Sequence, residues 1–182
     1  MEENKIPLWS EAGVPGIILG TVSIVYLLVN SFTAKLAGTG FTAILIGTLN
    51  FLLWAGKLML CLWLLRFFLL RFSSRNPAAD NRKVFHFGIA CAVLSALLYS
   101  VFYLAYVLYI NPEVINASFD LAIQQYSSML DAASLEAMEN MRSDMPVATF
   151  FTTLIWCFLF GTVASYIFSR HIPADADDPF KD

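Results

Sequence analysis

The chain has 182 residues, 58% of them hydrophobic and only 14% charged, with a mean hydropathy of +0.67. A globular domain carries about a quarter charged residues, so a water-solvated sphere and a disordered chain are both excluded, and much of the surface must face lipid. Eleven Lys and Arg against fourteen Asp and Glu give a net charge of −3, which leaves no basic surplus for a nucleic-acid partner.

A bilayer core asks for about 20 mainly apolar residues per helix. Four stretches supply them, at about 14–32, 41–65, 84–110 and 147–168. The expectation is one all-α membrane domain over residues 1–182, a four-helix bundle with a helical hairpin outside the bilayer and a cytoplasmic tail at 170–182.

Span one is flanked by Glu2, Glu3 and Glu11 beside a single Lys5, and no small-x-small cleavage site follows it. It is expected to stay attached rather than act as a cleaved leader. Gly16 and Gly20, four apart, form a small-residue seam of the kind that lets helices approach closely in lipid.

Span two carries the most informative polar residue, Lys57. It lies nine residues before Arg66, about 13 Å along a helix. Asn50, Trp54, Lys57 and Cys61 recur at helical spacing on one face. One reading makes this a polar seam for a substrate or an anionic lipid. The structural reading is a lysine paired with tyrosines or snorkelling to the inner headgroups.

Between spans two and three come Arg66, Arg71, Arg75, Arg82 and Lys83, five cations within eighteen residues. Such a basic loop is drawn to anionic lipids, and the positive-inside rule assigns it to the cytoplasm. With four spans, both termini then fall on the same side.

Span three offers Gly88, Ala92 and Ala96 as a second packing seam. Ser95, Tyr99, Tyr103 and Tyr106 form a polar stripe whose hydroxyls need partners, which Lys57 or Asn30 could supply. Tyr109 is expected in the interfacial aromatic belt.

Residues 112–145 form an acidic segment in which six carboxylates face Arg142 alone. Ile115, Phe119, Ala122, Ile123, Tyr126 and Leu130 recur on one helical face. Asn116, Asp120, Gln124, Ser127 and Asp131 recur on the other. A second short helix is expected after Ser134 as its N-cap. The Phe119 face should dock as a cap over the bundle, leaving Asp120 and Asp131 as a recognition surface. Four methionines here are read as an apolar helix face rather than a copper site, and Asn116-Ala117-Ser118 as an idle glycosylation match.

Span four offers Gly161 and Ser165 and ends at Arg170. The cysteines, Cys61, Cys91 and Cys157, all fall inside spans, and His86 and His171 sit at span ends without a nucleophile or a second ligand. No catalytic, cofactor-binding or metal-ligating constellation is expected, and the protein is read as a non-enzyme.

Several motifs resemble the bacterial "domain of unknown function 4199" family of small four-span membrane proteins. They are Phe85-His86-Phe87-Gly88 and Tyr109-Ile110-Asn111-Pro112 at the two ends of span three, and Gln124-Gln125-Tyr126-Ser127-Ser128-Met129 in the hairpin. Pro146-Val147-Ala148-Thr149-Phe150-Phe151 opens span four, Ser169-Arg170-His171-Ile172-Pro173 closes it, and Asp178-Pro179-Phe180 marks the tail. The resemblance implies a Gram-negative inner membrane and brings no activity. It also implies a partner, since similar members are often encoded near a membrane-associated polyprenyl-phosphate glycosyltransferase. The expected function is therefore a non-catalytic subunit, anchor or scaffold for an envelope complex. The alternative is a small homo-oligomeric transporter or channel lined by Asn50, Lys57, Tyr99, Tyr103 and Tyr106.

Overall fold

The computed structural model describes residues 8–35, 41–77, 79–126, 129 and 131–172. They form α1 (Leu8–Lys35), α2 (Phe41–Arg75), α3 (Asn81–Ala105), a π-helical turn (Tyr106–Ile110), α4 (Glu113–Tyr126), α5 (Ala132–Met141), a 3₁₀ turn (Arg142–Asp144) and α6 (Met145–Ser169). No strand occurs among the described residues. Helices α1, α2, α3 with its π-helical extension, and the unbroken helical run Ala133–Ser169, which joins α5, the 3₁₀ turn and α6, are each long and apolar enough to cross a membrane. Lipid offers no hydrogen bonds, so a spanning backbone must satisfy its own polar groups, and a helix does so within one segment. This is a multi-pass membrane protein.

Helix α2 runs ten residues past the expected end of span two, from Leu65 to Arg75. The basic "loop" is thus largely helical. Arg66, Arg71 and Arg75 ride on α2, and Arg82 and Lys83 open α3. The expectation ended the span where the first arginine interrupts the apolar run, but Leu, Phe and Arg sustain a helix well. The true stop is Asn76-Pro77. The Asn76 side chain donates to the Phe72 carbonyl at 3.1 Å, and proline cannot continue the ladder. Asp80 then caps α3, its carboxylate accepting from the Lys83 amide at 3.0 Å.

The chain divides into two compact units. The first holds the described residues up to Tyr99 and those from Trp156 on; the second holds residues 100–155. In the first, four helical segments pack through the small residues expected to form seams. A Cβ on Gly16 would lie 2.6 Å from Leu94 Cβ, one on Gly20 2.8 Å from Leu98 Cδ2, and one on Gly161 2.6 Å from Ala92 Cβ. At Gly16 and Gly161 the atom met is itself a Cβ, so a side chain there would push the helices apart, whereas at Gly20 it is the end of a leucine that can turn aside. Phe72 and Phe87 stack with centroids 4.2 Å apart, and Leu69, Val84, Cys91 and Ser165 are buried around them.

In the second unit, the chain leaves α3 through the π-helical turn, where the Asn111 amide donates to the Tyr106 carbonyl five residues back at 2.8 Å. The Asn111 side chain also donates to the Tyr106 hydroxyl at 3.0 Å. Helix α5 begins one turn earlier than expected. Its N-cap is Asp131, whose Oδ1 accepts from the Ser134 amide at 2.9 Å, so Ser134 is the third helical residue rather than the cap. Both residue types cap well; the earlier one won because Ala132 and Ala133 propagate helix readily.

Candidate functional site

The first unit holds a cavity of about 330 Å³ among its four helical segments. Helix α1 contributes Leu19 and Ser23, α2 contributes Trp54, Lys57 and Cys61, α3 contributes Ala92 and Ser95, and α6 contributes Trp156 and Cys157. Trp54 and Trp156 are 48% and 70% exposed, so the cavity reaches the outer surface of the unit between α2 and α6.

Lys57 is half-buried at this cavity. Its Nζ stands 5.3 Å from the ring centroid of Tyr26 and 5.5 Å from that of Tyr99. Both distances lie within the reach of a cation–π attraction, about 6 Å. Lys57 is thus turned inward between α1 and α3.

Of the residues expected in the polar seam, the structure brings Lys57 and Tyr99 together. Asn50 stands about two turns away along α2 and is engaged with α1, where the Thr33 hydroxyl donates to Asn50 Oδ1 at 2.7 Å. Tyr103 and Tyr106, with ring centroids 6.4 Å apart, belong to the second unit. Tyr26, Trp156 and Cys157 were not anticipated at the site, because the register between helices distant in sequence leaves no trace in a single chain.

A second cavity, about 310 Å³, lies where the start of α1 meets the end of α2 and is lined by Ser10, Glu11, Phe68, Arg71, Phe72, Arg75 and Phe87. Pro15, inside α1, has no N–H to return to the Glu11 carbonyl. Arg66, Arg71, Arg75, Arg82 and Lys83 are all exposed. The ion pairs among described residues involve Arg142 and none of these five. His86 and His171 each turn Nδ1 to the carbonyl four residues back, at 2.6 and 2.9 Å.

A family model described as a protein of unknown function (DUF4199) matches residues 15–170. The chain belongs to this family. The match takes in all four apolar helices and the Lys57 cavity of this DUF4199 protein. No curated protein and no solved structure matches the chain.

In the hairpin of the second unit Phe119 is buried and Ile115, Ala122 and Ile123 are half-buried, while Asn116, Asp120, Gln124 and Tyr126 are exposed; Ser127 and Leu130 lie outside the described residues. Phe119 is only 7% exposed, and the Arg142 guanidinium lies 5.2 Å from its ring centroid. Arg142 Nη2 also pairs with Asp120 Oδ1 at 2.6 Å, and its Nε with Glu139 Oε1 at 3.0 Å. The hydrogen bond that Arg142 donates to Asp120 raises the guanidinium pKa above its usual value. Asp120 thus holds an ion pair with Arg142 while its side chain stays 64% exposed. Asp131 is exposed but serves as a cap; its bonds to Ser134 hold its carboxyl below the usual carboxylate range.

Proposed function

We propose that this protein is a non-catalytic subunit of the bacterial inner (cytoplasmic) membrane, in a Gram-negative envelope, that holds a partner protein at the cytoplasmic face. One observation carries the reading. Five exposed cations gather at the end of α2 and the start of α3, and none makes an ion pair with a described residue. Arg82 and Lys83 occupy the first turn of α3, where the helix dipole disfavours positive charge. Helix stability does not account for them; a negatively charged partner, protein or lipid headgroup, does. By the positive-inside rule this end faces the cytoplasm with both termini, and α4 and α5 face outward. A membrane-associated glycosyltransferase acting on polyprenyl phosphate is the concrete partner the family resemblance points to.

The test is affinity purification in gentle detergent of wild type and of a variant with Arg75→Gln, Arg82→Gln and Lys83→Gln. Loss of cytoplasmic-side partners, with expression and topology retained, is the expected result. The same partners in the same yield would overturn the docking role.

A further inference from the structure

Lys57 is a cation at membrane depth without an anion of its own. No Asp or Glu occurs in residues 12–79, 84–112 or 145–174, so no spanning helix brings a carboxylate to its level. Glu11 belongs to the other cavity, beside Arg71 and Arg75. Lys57 is nine residues from Arg66 and sixteen from Phe41, about 13 and 24 Å along α2. A lysine stem covers only several ångströms by snorkelling. The faces of Tyr26 and Tyr99 offset part of the cost of a charge in lipid but leave its sign unbalanced.

Beside this charge lies a space in search of contents. At about 330 Å³ the cavity falls at the small end of the range for ligand sites, about 300–1,000 Å³. Beside Lys57 its lining is mainly aliphatic and aromatic, with the hydroxyls of Ser23 and Ser95 and the thiols of Cys61 and Cys157. Its open side lies between Trp54 and Trp156, on faces that the span assignment gives to hydrocarbon, so a ligand would enter sideways from the bilayer. An apolar cavity, one uncompensated cation and lipid access together define the ligand chemistry.

We propose that the Lys57 cavity binds a single-chain amphiphile with one small anionic head, the head pairing with the Lys57 ammonium and the chain filling the space between α2 and α6. The volume excludes a two-chain lipid held whole. A carboxylate and a phosphate monoester share the required chemistry, and they come from a free fatty acid and a lysophosphatidic-acid-like lipid respectively. This site is independent of the cationic helix ends on which the docking role rests.

The experiment labels full-length protein in nanodiscs with palmitate carrying a photoactivatable diazirine on its chain. Competitors are palmitate, hexadecyl phosphate, hexadecanol and hexadecyltrimethylammonium. Adducts are expected within residues 54–62 and 156–161. Palmitate or hexadecyl phosphate should compete, whichever is stronger naming the headgroup, while hexadecanol and the cationic amphiphile should not. Lys57→Met should cut labelling about tenfold, the scale of one lost charge-assisted hydrogen bond, and Lys57→Arg should retain most of it. Equal competition by hexadecanol, undiminished labelling of Lys57→Met, or adducts confined to other surfaces would overturn the assignment. Should Lys57→Met fail to give a monodisperse protein, Ser95→Leu decides, because it narrows the cavity and leaves the cation. Lost labelling in a well-folded Ser95→Leu supports the site, and full labelling refutes it.

Discussion

Gly88 lies directly against Ser165: a Cβ built on Gly88 would stand 2.5 Å from the Ser165 hydroxyl oxygen and 2.6 Å from its Cβ. Ser165 can be buried there because its hydroxyl donates to the Gly161 carbonyl at 2.7 Å, inside its own helix. A polar side chain thus presents a nearly apolar surface to α3. Gly88→Val should force the two helices apart at a cost of about 1–3 kcal/mol. A Cβ on Gly56 would meet nothing within 4 Å, so Gly56 should accept Ala with a gain of up to about 1 kcal/mol. Thermal melts of both variants in one detergent check this, and a Gly88→Val melt equal to wild type would contradict the packing.

Lys57→Arg should fold and express like wild type, whereas Lys57→Glu should not. A guanidinium can still sit over Tyr26 and Tyr99, and the attraction is worth about 2 kcal/mol when desolvated. A carboxylate would face the negative ring surfaces instead. A double-mutant cycle between Lys57→Met and Tyr26→Leu measures the pair; no coupling energy would mean that the rings and the ammonium act separately.

Phe119 and Arg142 should fail together. Phe119→Ala is expected to cost about 3 kcal/mol, as for a buried ring. Arg142→Ala should release Asp120 and Glu139 and speed amide exchange through α4 and α5. Asp120→Lys combined with Asp131→Lys should also loosen the hairpin, since it breaks an ion pair and a cap. Unchanged exchange in residues 113–141 for that double variant would mean that neither aspartate holds the hairpin together.

The start of α5 should resist mild acid. The Asp131 carboxyl is held below its usual range in the folded state, so its stabilisation is complete above the ordinary carboxylate pKa. It fades only as pH falls through the lowered folded value. Exchange at the Ser134 amide should therefore stay slow through weakly acidic solution and quicken below the usual Asp range. Asp131→Asn should keep the cap and lose the pH dependence, while Asp131→Ala should lose both.

Cysteine labelling tests the orientation. In a background lacking Cys61, Cys91 and Cys157, a reporter cysteine at position 75 should react only after the cytoplasmic face is opened, and one at position 131 should react from outside. The reverse pattern would invert the assignment of the cationic end.

The spans and their seams were legible because each is a local property. Twenty apolar residues announce a spanning helix, and Gly16, Gly20, Gly88 and Gly161 announce close approach whatever their neighbours are. The partners were legible only in part: Tyr99 was among the tyrosines expected near Lys57, and Tyr26 was not. Nothing in one chain aligns Lys57 with Tyr26 or Asp120 with Arg142, because such pairs depend on how far one helix slides along another. The extent of α2 was missed for a different reason: apolarity reports where lipid ends, not where the helix does. At α5 the local signals tied, since Asp131 and Ser134 are both good caps, and the spacing of exposed residues placed Asp131 on a face rather than at an end.

The π-helical turn after Ala105 sets a strict length on this stretch of chain. Tyr106 is 3% exposed and Tyr109, three residues on, is 83% exposed, although an ordinary helix would keep them near one side. The surplus residue in the turn re-aims everything beyond it. Deleting one residue between Val107 and Ile110 would let the backbone relax to a regular helix and swing the following chain by about 100°. Both bonds between Asn111 and Tyr106 would be lost with it. A single-codon deletion here is thus a rotation rather than a shortening, and every residue from Asn111 to α6 would feel it.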